Sequence, residues 1–117
     1  MAEPSGQPTI STHVLDTERG TPAPGVRVSL YRLDVGDGPI RMTQAMTDSD
    51  GRIRDLLERP LVAGDYRLEF DLRRDDEEAD GGFFRRIAID LTVTDVGRSY
   101  HVPLLLAPFA MTTYRGS

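Results

Sequence analysis

The feature that most limits what this chain can fold into is a period-two alternation of apolar and polar residues. It recurs in short segments separated by turn residues. Successive side chains of a strand point to opposite faces, so this period selects strands with one face buried. Residues 66–72 show it most cleanly: Tyr66, Leu68, Phe70 and Leu72 fall on one face, Arg67, Glu69 and Asp71 on the other. Residues 87–93 repeat it, with Ile87, Ile89, Leu91 and Val93 against Ala88, Asp90 and Thr92. Residues 26–33 set Val26, Val28 and Leu30 against Arg27, Ser29 and Tyr31; residues 9–15 set Ile10, Thr12 and Val14 against Ser11, His13 and Leu15. A hairpin loop at Gly36-Asp37-Gly38-Pro39 joins 26–33 to a partner strand at 40–47. Residues 99–106 are the last long strand, and the tail 108–117 has room for a short final one.

The segments between are turns and loops. Residues 16–25 carry two prolines and two glycines, 48–51 make a turn, and the acidic run 73–82 is a solvated loop with room for one short helical turn. Residues 1–8 read as a flexible lead, with the folded domain over 9–117. Seven or eight such strands, with turn signals roughly every ten residues and no long amphipathic helix, predict an all-β sandwich or barrel.

A chain of 117 residues allows one core, not two. It has no cysteine, so disulfides and thiolate chemistry are excluded. The net charge is −5 and the arginines are spread along the chain, which leaves no basic face for nucleic acid. No apolar run approaches the roughly 20 residues that span a bilayer. The start of the chain has neither a basic nor an apolar region of a signal peptide, so a cytoplasmic protein is expected.

Chemistry has few places to reside. The two histidines lie on predicted strands, His13 opposite in phase to Ile10 and Val14, and His101 opposite to Tyr100, Val102, Leu104 and Leu106. If those apolar positions form the core, both imidazoles lie on an outer sheet face, beside Pro103 and Leu105. An outer face part apolar and part histidine implies a covered surface, most simply a subunit interface. From the residues alone each histidine is open to two readings, a hydrogen-bonded structural side chain or a functional imidazole. A metal site lacks a clear third ligand. Asp48-Ser49-Asp50-Gly51 looks like the opening of a calcium loop, but the twelfth position is Arg59 rather than a glutamate, so it reads as a turn. Arg52 follows that turn, as either a solvated side chain or a fixed cation for a carbonyl-rich ligand. The apolar run before Tyr114-Arg115-Gly116-Ser117 is likewise open between a plain tail and a functional one.

Four segments resemble one family in order and spacing: Ser11-Thr12-His13-Val14-Leu15-Asp16, Thr47-Asp48-Ser49-Asp50-Gly51-Arg52, Tyr100-His101-Val102-Pro103-Leu104-Leu105-Leu106 and Tyr114-Arg115-Gly116-Ser117. They are similar to the signature segments of the 5-hydroxyisourate hydrolases, or transthyretin-related proteins. The resemblance implies a transthyretin (prealbumin)-like two-sheet β-sandwich, assembled as a homotetramer, a dimer of dimers with active sites in the channel between dimers. It implies hydrolysis of 5-hydroxyisourate in urate breakdown, without metal or organic cofactor, by histidine-assisted attack of water on a ring carbonyl. His13, Arg52, His101 and Ser117 take the catalytic positions, and Tyr114, Arg115 and Gly116 the substrate-binding ones. A non-catalytic small-ligand carrier on the same fold is the alternative. The chain departs from the family pattern at Phe84-Arg85-Arg86 and at Ala107-Pro108-Phe109-Ala110-Met111, which replace a carboxylate, two phenols and a glycine.

Overall fold

The computed structural model describes residues 7–72 and 83–116. Most of the expected flexible lead, the acidic loop 73–82 with its short helical turn, and Ser117 lie outside the described residues. Among the described residues nine strands occur in chain order: β1 (Ile10–Asp16), β2 (Thr21–Pro22), β3 (Arg27–Arg32), β4 (Ile40–Met46), β5 (Arg52–Ile53), β6 (Gly64–Asp71), β7 (Arg86–Val93), β8 (Tyr100–Ala107) and β9 (Ala110–Thr113). The two that the sequence did not place, β2 and β5, are two residues each and too short to carry an alternation. Both are specified by pairing with β1, not by local pattern.

The strands form two facing sheets. One is fully antiparallel, in the order β4-β3-β6-β7. The other runs β2-β1-β8-β9, with β5 also on β1. Its central pair, β1 and β8, is parallel and in register from Ile10↔Tyr100 to Asp16↔Leu106. The β3–β4 hairpin is as the turn residues predict, and the short final strand for which the tail has room is β9, which pairs antiparallel with β8.

The core lies between the sheets and uses the inward sets read from the sequence. Val14, Val28, Leu30, Leu68, Phe70 and Leu104 are fully buried there. Burying such side chains stabilises the fold by roughly 1.5–3 kcal/mol each relative to exposure. Leu56 and Leu57, in an irregular stretch, are also buried. Leu56 N–H donates to the Ile10 carbonyl at 2.9 Å, and the Leu56 carbonyl accepts from the Thr43 hydroxyl. The buried Thr12 hydroxyl donates to the Val102 carbonyl at 2.6 Å, tying β1 to β8 through a side chain. Among the described residues no buried side-chain polar atom lacks a partner. No helix among them is long and apolar enough to cross a membrane.

Candidate active site

Strand β1 is the axis of the site because both of its edges are occupied. On one edge β8 sets Ser11 beside His101 and His13 beside Pro103; on the other β5 sets His13 beside Arg52. Alternation then puts Ser11, His13, Arg52 and His101 on the outer face, while Thr12, Ile53 and Val102 point into the core and are buried. A parallel register brings residues 90 positions apart into one row, which no local sequence pattern announces.

Arg52 is placed by the turn before it. The Asp48 carboxylate accepts from the backbone N–H of Asp50 at 2.8 Å and of Arg52 at 3.0 Å, and Gly51 N–H closes the turn on the Asp48 carbonyl at 2.8 Å. These backbone donors, Arg52 first, hold the Asp48 carboxyl below its ordinary value. Gly51 has φ 75°, and its carbonyl accepts from Val14 N–H at 2.7 Å. A side chain at 51 would strike the Val14 carbonyl oxygen and approach Ala23 N to 3.1 Å, so only glycine fits between β1 and β2. The segment resembling a calcium loop is thus an aspartate-capped turn that delivers a guanidinium.

The two imidazoles are held differently. His13 Nε2 lies 2.9 Å from the Asp50 carbonyl oxygen, and a carbonyl can only accept, so this nitrogen carries a proton. His101 Nδ1 lies 2.8 Å from Ser11 Oγ, a group able to accept or donate. Burial, then the charges of Arg52 and His13, push the His101 imidazole below its ordinary value of 6.5. Neutral His101 therefore predominates at pH 7. Ser11, Thr12, Arg52, Ile53, Arg54 and His101 line a cavity of about 290 Å³.

The chain end reaches this cavity along β8. Strand β9 pairs with β8 from Ala107↔Ala110 to Leu104↔Thr113, and Gly116 N–H then donates to the His101 carbonyl at 2.6 Å. A Cβ at 116 would lie 2.6 Å from His101 Cδ2, so Gly116 lies close against the imidazole edge. Gly116 thus reaches the site as a packing contact for His101. Tyr114 and Arg115 are placed elsewhere: they line a separate cavity of about 250 Å³ with Leu91, Tyr100 and Val102. There the Arg115 guanidinium stacks 4.5 Å from the Tyr100 ring centre. Ser117 lies outside the described residues.

Two cavity residues had no role in the sequence reading. Ser11 was legible only as a signature neighbour of His13, and its bond to His101 needs the parallel register. Arg54 had one usable signal, its two-residue spacing from Arg52, which puts both on one face of β5 and its continuation. Among the described residues no three His, Asp or Glu side chains gather closely enough to hold a metal ion.

A two-sheet sandwich that exposes one imidazole and a guanidinium in an outer-face cavity, with a second imidazole paired beside that guanidinium, has the groups of a hydrolytic site. The chain belongs to the HIUase/Transthyretin family, which it matches over residues 10–116. It is 44% identical over 119 aligned residues to the 5-hydroxyisourate hydrolase of Deinococcus radiodurans, covering 97% of this chain and 99% of that one. The 5-hydroxyisourate hydrolase of Klebsiella pneumoniae has a similar structure, with a TM-score of 0.76 and 34% identity over 94% of this chain and 99% of that one. Transthyretin from Sparus aurata superposes with a TM-score of 0.80 at 28% identity, covering 91% of this chain and 94% of that one. The fold is thus common to a 5-hydroxyisourate hydrolase and a transthyretin, and the sequence identity is higher to the two hydrolases than to that transthyretin.

Proposed function

We propose that this chain hydrolyses 5-hydroxyisourate to 2-oxo-4-hydroxy-4-carboxy-5-ureidoimidazoline in urate degradation. The observation that carries the reading is the convergence of His101, Ser11 and Arg52 on one cavity, with His13 beside Arg52 across β1. The relatives named 5-hydroxyisourate hydrolase support it. A carrier needs shape and apolar lining, and this cavity instead presents a neutral base and guanidinium donors.

In the reaction a water oxygen bonds to a ring carbonyl carbon, the adjacent C–N bond breaks, the nitrogen takes a proton and the carbonyl carbon becomes a carboxylate. His101 is the base, since it is neutral at pH 7 and its Nε2 has no partner among the described residues. Arg52 binds the carbonyl-rich ring and stabilises the oxyanion that forms on attack. His13 orients the water or supplies the proton to the leaving nitrogen. The terminal segment closes the substrate channel through Gly116, which packs on His101, and Ser117, which gives a terminal hydrogen bond, while Tyr114 and Arg115 anchor that segment from the separate cavity beside Tyr100. No cofactor takes part.

The same reading assigns residues 9–117 to one hydrolase domain in the cytoplasm. The assembly is a homotetramer, a dimer of dimers. The outer face around the site supports this, since the half-buried Leu15 and Leu105 accompany the two histidines there, although Pro103 beside them is already buried within the chain. Such a face is better covered by another copy than left in water. The alternative of a non-catalytic carrier is set aside.

The test generates 5-hydroxyisourate from urate with uricase and follows its ultraviolet decay with and without the protein. Wild type should accelerate the decay, and His101→Asn should lose roughly 10²–10⁴ of that rate. A folded wild-type protein that leaves the decay unchanged would return the carrier reading.

A further inference from the structure

We propose that Ser11 is a positioning residue that holds His101 in its Nδ1–H tautomer, so that the Nε2 lone pair faces the cavity. A neutral imidazole carries one N–H, and the partner of one nitrogen decides which nitrogen is left as a base. His101 has its ring accounted for on two sides. Ser11 Oγ sits 2.8 Å from Nδ1, and Gly116 covers the Cδ2 edge. What remains to line the cavity is the Cε1–Nε2 edge. Arg52 lines the same cavity, and its positive charge favours a lone pair over an N–H dipole on that edge. With Nδ1 protonated, Ser11 accepts the imidazole proton and its own hydroxyl hydrogen is free to turn into the cavity.

The placement of Ser11 is itself fixed. It sits opposite His101 in the parallel β1–β8 register, and its neighbours Ile10 and Thr12 are buried. The Thr12 hydroxyl bond to the Val102 carbonyl locks that register one residue along. The two site histidines are thereby pinned in complementary fashion. His13 is protonated on Nε2 by its bond to the Asp50 carbonyl, and His101 is protonated on Nδ1. One imidazole offers Nε2 as a base and the other does not.

The catalytic consequence rests on the hydrolase reading, whereas the tautomer does not. The experiment is nitrogen-15 NMR of the imidazoles in wild type, Ser11→Ala and Ser11→Thr, each also assayed on 5-hydroxyisourate. Wild-type His101 should show a pyrrole-like Nδ1 and a pyridine-like Nε2. Ser11→Ala should shift this toward the Nε2–H form and lower kcat about 10-fold, short of the roughly 10²–10⁴ expected for losing the base outright. Ser11→Thr, which keeps the hydroxyl, should restore both. A wild-type His101 protonated on Nε2, or a Ser11→Ala spectrum unchanged from wild type, would overturn the proposal. Inactive wild type with the expected spectrum would strike the hydrolase reading and leave the tautomer assignment standing.

Discussion

The two sheets share one alternation and differ in what they turn outward. The β4-β3-β6-β7 sheet presents Arg67 and Asp90, joined at 2.6 and 3.1 Å across β6 and β7, and Arg27 with Asp71 at 3.8 Å. These charges are paired with one another in the manner of a solvated face. The β2-β1-β8-β9 sheet presents His13, His101, Ser11 and Arg52, and neither the Arg52 guanidinium nor His101 Nε2 has a hydrogen-bond or ion-pair partner among the described residues. Paired charge marks a surface that is finished, while groups held at one end and open at the other mark a surface that acts on something else.

Substitutions on the two faces should therefore separate activity from stability. Arg52→Ala should lower kcat by roughly 10²–10³, the worth of one donor to a developing oxyanion, with little change in Tm. Uricase-coupled turnover beside a thermal melt reads both. Gly51→Ala should cost more than about 1 kcal/mol of stability, because a side chain there is strained at positive φ and meets the Val14 carbonyl. Denaturant unfolding checks it, and a wild-type midpoint would show that the turn can shift. Gly116→Ala should leave the fold intact and reduce turnover about 10-fold, roughly 1.4 kcal/mol in the barrier, by displacing the His101 ring. On the paired face Arg67→Ala should change stability by no more than about 1 kcal/mol and turnover not at all. A large activity loss there would break the contrast between the sheets.

The smallest effect is electrostatic and has a definite sign. Burial, with Arg52 and His13, pushes folded His101 below 6.5, so the acid limb of kcat/KM should inflect below pH 6.5. The unfolded chain binds this proton more readily. The His101 contribution to stability is thus fully present above pH 6.5 and is lost as pH falls through the lowered value. Proton NMR titration of the His101 ring should show its midpoint rising toward 6.5 in Arg52→Gln; an unmoved midpoint would remove Arg52 as a cause.

Much of this was legible in residues 66–72 and 87–93. A period of two over seven residues leaves little choice of element or of inward face; of the inward sets chosen from it Tyr66, Leu68, Phe70, Ile87 and Val93 are buried and Leu72, Ile89 and Leu91 are partly buried against the core. The outer-face position of both histidines followed from the same phase. Leu56 and Leu57 were not legible as core, because no alternation surrounds them and only the closing of the sandwich over residues 54–63 buries them. The strand β5 was missed for a similar reason, since two residues carry no period.

The sequence by itself determined the inward set of each alternating strand, where most turns fall, and that His13, Arg52 and His101 are the candidates for chemistry. Periodicity and turn chemistry are local, so they can be read along the chain. Which groups meet was decided by tertiary structure alone. The parallel register puts Ser11 against His101, the capped turn sets Arg52 beside His13, and the returning tail lays Gly116 on the imidazole while carrying Arg115 to Tyr100 instead. Each of these is a contact between residues far apart in the chain, fixed by strand order and register, and neither quantity is encoded in any one segment.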